Sequence, residues 1–216
     1  MILNTQKKGH NHVPTSLNEK SLSDAVAYLC KVDTDLAKVI LELGHPPLWS
    51  REPGFQTLVH IILEQQVSLA SARAAFDKLV RAAGQLTPER FLAFTDSELK
   101  AFGFSRQKTR YGRELSNTII SGQLDLDGLE RQDDDSARVE LIKVKGIGPW
   151  TADIYLLMAL LRPDIWPTGD LALVKAVTEI KALSEPPTNE ALKKISENWK
   201  PWRSVAARIA WHHYLS

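Results

Sequence analysis

The stretch LIKVKGIGPWTADIYLLMAL breaks a helical pattern at Gly146-Ile147-Gly148 and restarts it at Pro149 and Trp150. Two glycines around one isoleucine permit positive φ and close backbone approach, so the segment forms a tight turn between helices. Pro149 suits the first turn of the second helix. The amides of the turn, with the free N–H groups that open the next helix, can hold an anion. Ile147 pins the turn by packing inward. The same spacing also suits a plain helical hairpin without a ligand. Downstream, Asp170 ends RPDIWPTGD and heads LALVKAVTEI. A carboxylate at that point caps the helix, a role worth about 1 kcal/mol. Capping also holds the carboxylate rigidly, as stabilising charge at a reacting centre requires.

Other polar clusters suit plainer roles. Asp133-Asp134-Asp135 is a charge cluster at a helix start, where the dipole favours it, and not a metal site. His212 and His213, near the end of the last helix, interact with its dipole. His10 and His12 sit in an unpatterned polar segment and bind nothing. Asp153 either supports Asp170 or is solvated. Arg203 and Ser204, at the start of the last helix, bind phosphate or cap it. Cys30 is the single cysteine, so an internal disulfide and a four-cysteine zinc or iron–sulfur site are both excluded.

The elements that must position these residues are helical. Apolar residues recur three and four apart from SLSDAVAYLCKVDTDLAKVILELG onward, with Ser21 or Ser23 as N-cap and Gly44 as stop. FQTLVHIILEQQVSLASARAAFDKLVRAAG reads as one or two helices. TPERFLAFT and DSELKAFG are short and capped. SRQKTRYGRELSNTIISG is a basic amphipathic helix, and DDDSARVELIKVKG leads into the hairpin. PWTADIYLLMALL, DLALVKAVTEI, NEALKKISENW and PWRSVAARIAWHHYL, the last opening at Pro201, complete the set. No strand alternation is present. The expected fold is all-α, about ten helices in two lobes with a cleft between them. Residues 1–20 form a flexible tail. Helices in 21–54 pack with the C-terminal lobe. Residues 55–130 form the middle lobe, and 131–216 the C-terminal lobe with the hairpin and Asp170.

The totals add limits. Of 216 residues, 44% are hydrophobic and 25% charged, ordinary for a globular chain. Net charge is +1, but Leu141 to Ser216 carries ten Lys/Arg against seven Asp/Glu, a sign that suits a phosphate partner. No apolar run is long enough for a membrane span. MILNTQKKGHNHVPTS lacks the apolar core of a signal peptide. The expected location is cytoplasmic, or nuclear in a eukaryote, with no membrane partner.

VKGIGPWTAD resembles the helix-hairpin-helix of the DNA glycosylases, and WKPWRSVAARIAW resembles the C-terminal helix of the bacterial 3-methyladenine DNA glycosylase II family. ILEQQVSLASA and the loop before Asp170 match the same family. The resemblance covers about residues 45 to 214. It implies that amides of Gly146, Ile147 and Gly148, with Thr151 and Ser204, hold DNA phosphate without reading sequence. It implies a monovalent cation, Na or K, on the carbonyls of Ile142, Val144 and Ile147. Asp170 would face the deoxyribose of a flipped nucleotide. Trp150 and Trp211, the latter seven residues after Ser204, would form the base pocket. Gln66 would be the wedge that fills the gap in the stack, with Gln65 beside it and Ser68 starting the next helix.

Two departures qualify the match. Too few residues precede PPLWSREPGFQTLV for the founder's N-terminal β domain, so the chain resembles the compact forms. Ile154 stands where the founder has an aromatic. Relatives that also nick DNA carry a lysine where Trp150 stands; its amine attacks C1′. Lys143 and Lys145 lie before the turn. The resemblance therefore implies a monofunctional glycosylase: hydrolysis of the N-glycosidic bond to an alkylated purine of the 3-methyladenine or 7-methylguanine type in duplex DNA, by a monomer, with no cofactor needed and no iron–sulfur cluster. The alternatives are a DNA-binding module without chemistry and a glycosylase for another lesion.

Overall fold

The computed structural model describes residues 16–216. His10 and His12, and most of the expected tail, lie outside the described residues. Twelve α-helices and two short 3₁₀ turns follow, with no strand among the described residues. None of these helices is long and apolar enough to cross a membrane.

The first helical pattern divides in two, α1 (Glu19–Val32) and α2 (Thr34–Leu43). Neither Ser21 nor Ser23 is the N-cap of α1. Asn18 is, and Ser21 serves as the third helical residue, returning the bond in a capping box. The break comes at Asp33, whose Oδ1 takes the amides of Asp35 and Leu36 and so caps α2. A side chain that competes for backbone donors ends a helix without glycine or proline.

Next come α3 (Phe55–Glu64), α4 (Leu69–Ala83), α5 (Pro88–Ala93), α6 (Asp96–Phe102) and α7 (Arg106–Ile120). Ser68, Thr87, Thr95 and Ser105 cap the last four. These five helices pack on one another, α3 on α4 and α7, and α5 and α6 on α7. Then follow α8 (Asp134–Ile142), α9 (Pro149–Met158), α10 (Leu171–Ile180), α11 (Asn189–Ser196) and α12 (Arg203–Leu215). In this second group α12 packs against α10, α2 and α1. The last helix begins two residues after Pro201. Its orphan amides are taken by the loop ahead of α10: Arg203 N–H donates to Asp164 Oδ1 and Ser204 N–H to the Pro163 carbonyl.

Two helices are buried on nearly every side. Thr151 to Leu157 of α9 and Ser204 to Trp211 of α12 are all buried. A helix covered all round lies at the centre of its domain. The α9 helix packs on α8 and on α3, so it joins the two groups. Polar ties reinforce the seam: Tyr155 Oη accepts from the Gly54 amide at 2.9 Å, and the Arg51 amide donates to the Met158 carbonyl at 2.9 Å. Arg208 crosses from α12 to Leu157 and Leu48, donating to both carbonyls at 2.8 Å.

Candidate active site

Asp170 is 9% exposed and caps α10, with Oδ1 accepting the Leu173 amide at 2.9 Å. Two indoles complete its surroundings. Trp150, in the first turn of α9, donates Nε1–H to Oδ2 at 2.9 Å, and Trp211, on α12, donates to Oδ1 at 3.3 Å. Three N–H donors from three helices therefore fix the carboxylate. Trp150 is half-buried, while Trp211 is only 7% exposed. Of the two rings, Trp150 leaves more face open. Such a carboxylate can stabilise a cation that develops beside it, in a site where little water competes.

The hairpin lies on the chain just before Trp150. Gly146 has φ of 102°, and a Cβ there would come within 2.3 Å of Tyr111 Cγ on α7. Glycine is required twice over, by conformation and by the ring packed against it. Gly148 differs. Its φ is −90°, and a Cβ there would meet nothing within 4 Å. The open space in front of it lies beside the N-terminus of α9, whose first amides have no helical partner. Neither the Gly146 nor the Gly148 amide finds an acceptor among the described residues.

Several expected contacts need correction. The Ile147 amide is not free, because it donates to the Val144 carbonyl at 3.0 Å, and the side chain is buried as expected. The Thr151 side chain does not face outward; it is buried, and its hydroxyl accepts from Gln65 Nε2 at 2.9 Å. Ser204 cannot reach phosphate. It is 0% exposed, and its hydroxyl accepts the Ile165 amide and donates to the Ile165 carbonyl. Its work is to hold the loop ahead of Asp170 against α12. Arg203 is neither solvated nor free for phosphate, since it makes a two-pronged pair with Asp164.

Gln66 sits at the tip of the turn between α3 and α4. It is exposed, with φ of 57°, and Val67 and Leu69 beside it are exposed apolar residues. Gln65 turns the other way, and donates to the Gly146 carbonyl at 2.9 Å as well as to Thr151. Neither that bond nor the Tyr111 contact had a local signal, since each spans residues far apart in the chain.

Asp153 neither touches Asp170 nor is solvated. It pairs with Arg138 at 2.6 Å. Burial pushes its carboxyl up from the usual range, against the opposing pull of Arg138. Burial also drives the Tyr155 hydroxyl up to about 12, so it stays a neutral donor and acceptor. Ile154 is buried on α9. Lys143 pairs with Glu140 at 2.6 Å, and Lys145 is exposed in the turn. His213 pairs with Glu179. Asp133 caps α8, and Asp135 pairs with Arg138. Among the described residues no group of three or more His, Cys, Asp or Glu is placed to hold a metal. A concavity of about 410 Å³ between α6 and α7, lined by Asp96, Lys100, Arg106 and Thr109 among others, shares no residue with the surroundings of Asp170.

Comparison with known proteins places this arrangement. Residues 59–201 match the HhH-GPD superfamily base excision DNA repair proteins. A DNA-3-methyladenine glycosylase of Bacillus subtilis is 28% identical over 73% of this chain. DNA-3-methyladenine glycosylase 1 of Schizosaccharomyces pombe is 28% identical, over 88% of this chain and 87% of its own. The chain spans 65% and 56% of the length of the two Bacillus subtilis relatives it matches. Among solved structures, the Schizosaccharomyces pombe 3-methyladenine DNA glycosylase Mag1 in complex with abasic DNA superposes with a TM-score of 0.82. Its identity is 27%, covering 88% of this chain and 95% of that one. With the family match spanning the hairpin, the Gly/Pro-containing loop and Asp170, the chain belongs to the HhH-GPD superfamily of base excision DNA repair proteins.

Proposed function

We propose that the chain is a monofunctional DNA glycosylase. It would excise alkylated purines of the 3-methyladenine and 7-methylguanine type from duplex DNA, leaving an abasic site for base excision repair. The observation that carries this reading is the Asp170 carboxylate held by two tryptophan N–H groups and its own helix. The relatives' names and the Mag1 complex with abasic DNA support it.

Alkylation at a ring nitrogen makes the purine cationic and weakens its bond to C1′. The bond breaks with its electron pair going to the base, which leaves neutral, and positive charge builds on the sugar. Asp170 stabilises that charge and orients the water whose oxygen adds to C1′ as it loses a proton. No acid is needed to protonate such a leaving group. The faces of Trp150 and Trp211 attract the cationic base, each by about 0.5–2 kcal/mol. Damaged bases also cost less to extrude from the stack.

The amides of Gly146 and Gly148 and of the first turn of α9 grip phosphate. Gln66 fills the vacated stack. A Na or K ion fits the hairpin: the Ile142 and Ile147 carbonyls have no partner among the described residues, and Val144 O keeps one lone pair beside its bond from Ile147. Such an ion would add positive charge near the gripped phosphate. The chemistry itself needs no cofactor. Trp150 has no amine to attack C1′, and Lys143 is engaged by Glu140, so hydrolysis without strand nicking follows.

The test is release of methylated bases from duplex DNA, with hot alkali to reveal abasic sites. Wild type should release them, and Asp170→Asn should lose at least about a hundredfold in rate while still binding duplex. Breaks without alkali would overturn the monofunctional assignment. Binding without release by the wild type would favour a DNA-binding module.

A further inference from the structure

Three consecutive residues at the end of α3 are tied to three different places. The Leu63 carbonyl accepts from Lys108 Nζ of α7 at 2.7 Å. Glu64 makes a two-pronged pair with Arg51 at 2.8 and 3.0 Å. Gln65 Nε2 reaches the Gly146 carbonyl and Thr151 Oγ1, both at 2.9 Å. The next residue is Gln66, exposed and at φ of 57°. A residue other than glycine keeps such a conformation only where the surroundings hold it.

The far end of the Gln65 contact is equally constrained. The peptide joining Gly146 to Ile147 accepts from Gln65 through its oxygen and donates to the Val144 carbonyl through its nitrogen. Its plane is fixed at both ends. Thr151 is buried in the first turn of α9. One side-chain amide therefore joins the root of the exposed turn to the inner side of the hairpin. An NH₂ group has the two donors this needs; a carboxylate would set an acceptor against the Gly146 carbonyl.

We propose that Gln65 is a positioning residue for base extrusion. It holds the Gln66 turn at a fixed separation from the hairpin, so that the part entering the stack and the part gripping phosphate act as one body. This rests on the proposed roles of Gln66 and the hairpin. A wedge that recoils does not extrude a base: the resistance of the stack is met only if the turn is braced against an element that itself holds the DNA.

The experiment compares the full chain with Gln65→Ala and Gln65→Glu. The probe is a duplex with 2-aminopurine next to a tetrahydrofuran abasic analogue, whose fluorescence changes as a side chain enters the gap. Base release from methylated duplex at saturating enzyme is the second readout. Both variants should melt lower than the wild type, by the loss of two hydrogen bonds, yet stay folded at the assay temperature and bind undamaged duplex equally well. Both should lose most of the fluorescence change and at least about tenfold in release. As pH falls, Gln65→Glu should recover relative to wild type, because a protonated carboxyl regains one donor.

Unchanged insertion and release would overturn the proposal. So would a fall in undamaged-duplex binding that parallels release, or a Gln65→Glu variant equal to wild type at every pH. A wild type that inserts but releases no base would refute the glycosylase reading and leave the fluorescence comparison to decide on Gln65. A wild type giving no fluorescence change would overturn the wedge and Gln65 together.

Discussion

The carboxylate of Asp170 is held by donors that differ in kind. The Leu173 amide belongs to its own helix, while the two indoles come from 20 residues before and 41 after. Trp150 therefore has two separable properties, a ring face and an N–H aimed at Oδ2. Trp150→Phe keeps the first and removes the second. A hydrogen bond to a charged group is worth about 1.5–3 kcal/mol, so single-turnover base release should fall by about ten- to a hundredfold with substrate affinity little changed. Trp150→Ala should weaken affinity as well. Equal rates for Trp150→Phe and wild type would show that the bond does nothing for the chemistry. The capping role of Asp170 was legible from its place ahead of an apolar helical pattern. The convergence of two indole N–H groups was not, because it depends on how α9, α10 and α12 cross. The resemblance put Ser204 on phosphate, but packing buries α12 all round and commits both the Ser204 amide and its hydroxyl to the loop ahead of α10.

At the scale of elements, the hairpin combines two glycines with opposite requirements. Gly146→Ala must adopt a strained φ and displace the Tyr111 ring, which should cost about 2 kcal/mol or more. Gly148→Ala meets no atom of the protein and should leave the melting temperature unchanged, yet weaken duplex binding. Thermal melts and binding to undamaged duplex separate the two. A Gly148→Ala variant with full affinity would remove the phosphate from that open space. Both glycines were legible as a helix break; which one serves the fold and which the ligand was not. The split of α3 from α4 was legible as an option, one helix or two. That of α1 from α2 was missed, because Asp33 ends one helix and caps the next with no Gly or Pro to mark it.

Across the whole molecule, charged groups from the first and last parts of the chain meet in its interior. Arg208 is 0% exposed and donates to the carbonyls of Leu48, Leu157 and Ser204. Burial lowers its pKa to about 10, so it is still charged at neutral pH. Arg208→Leu would leave the Leu48 and Leu157 carbonyls without that donor, at about 1–3 kcal/mol for each buried group, while the Ser204 carbonyl keeps its helix bond; chemical denaturation should register a loss of that order or more.

Asp33 offers a pH-dependent counterpart. It accepts from Lys181 Nζ at 2.6 and 2.7 Å and from Trp199 Nε1 at 2.7 Å while capping α2. Burial pushes its carboxyl up, but the bonds from Lys181, Trp199 and the Leu36 amide outweigh that and hold it below the usual carboxylate range. A depressed folded value means that the charge contributes stability above the unfolded value of about 3.9. The contribution is lost as pH falls through the folded value. Asp33→Asn retains a good helix cap and an acceptor for Trp199 but leaves Lys181 with Asp35 alone, at 3.2 Å, as its charge partner. Breaking such a pair costs about 3 kcal/mol when it is fully buried. Lys181 is 20% exposed, so a smaller loss is expected at pH 7. The gap between the two proteins should narrow as denaturation is repeated at pH values falling below about 3.9. A gap that stays constant with pH would mean that shape, and not charge, joins α2 to the end of α10.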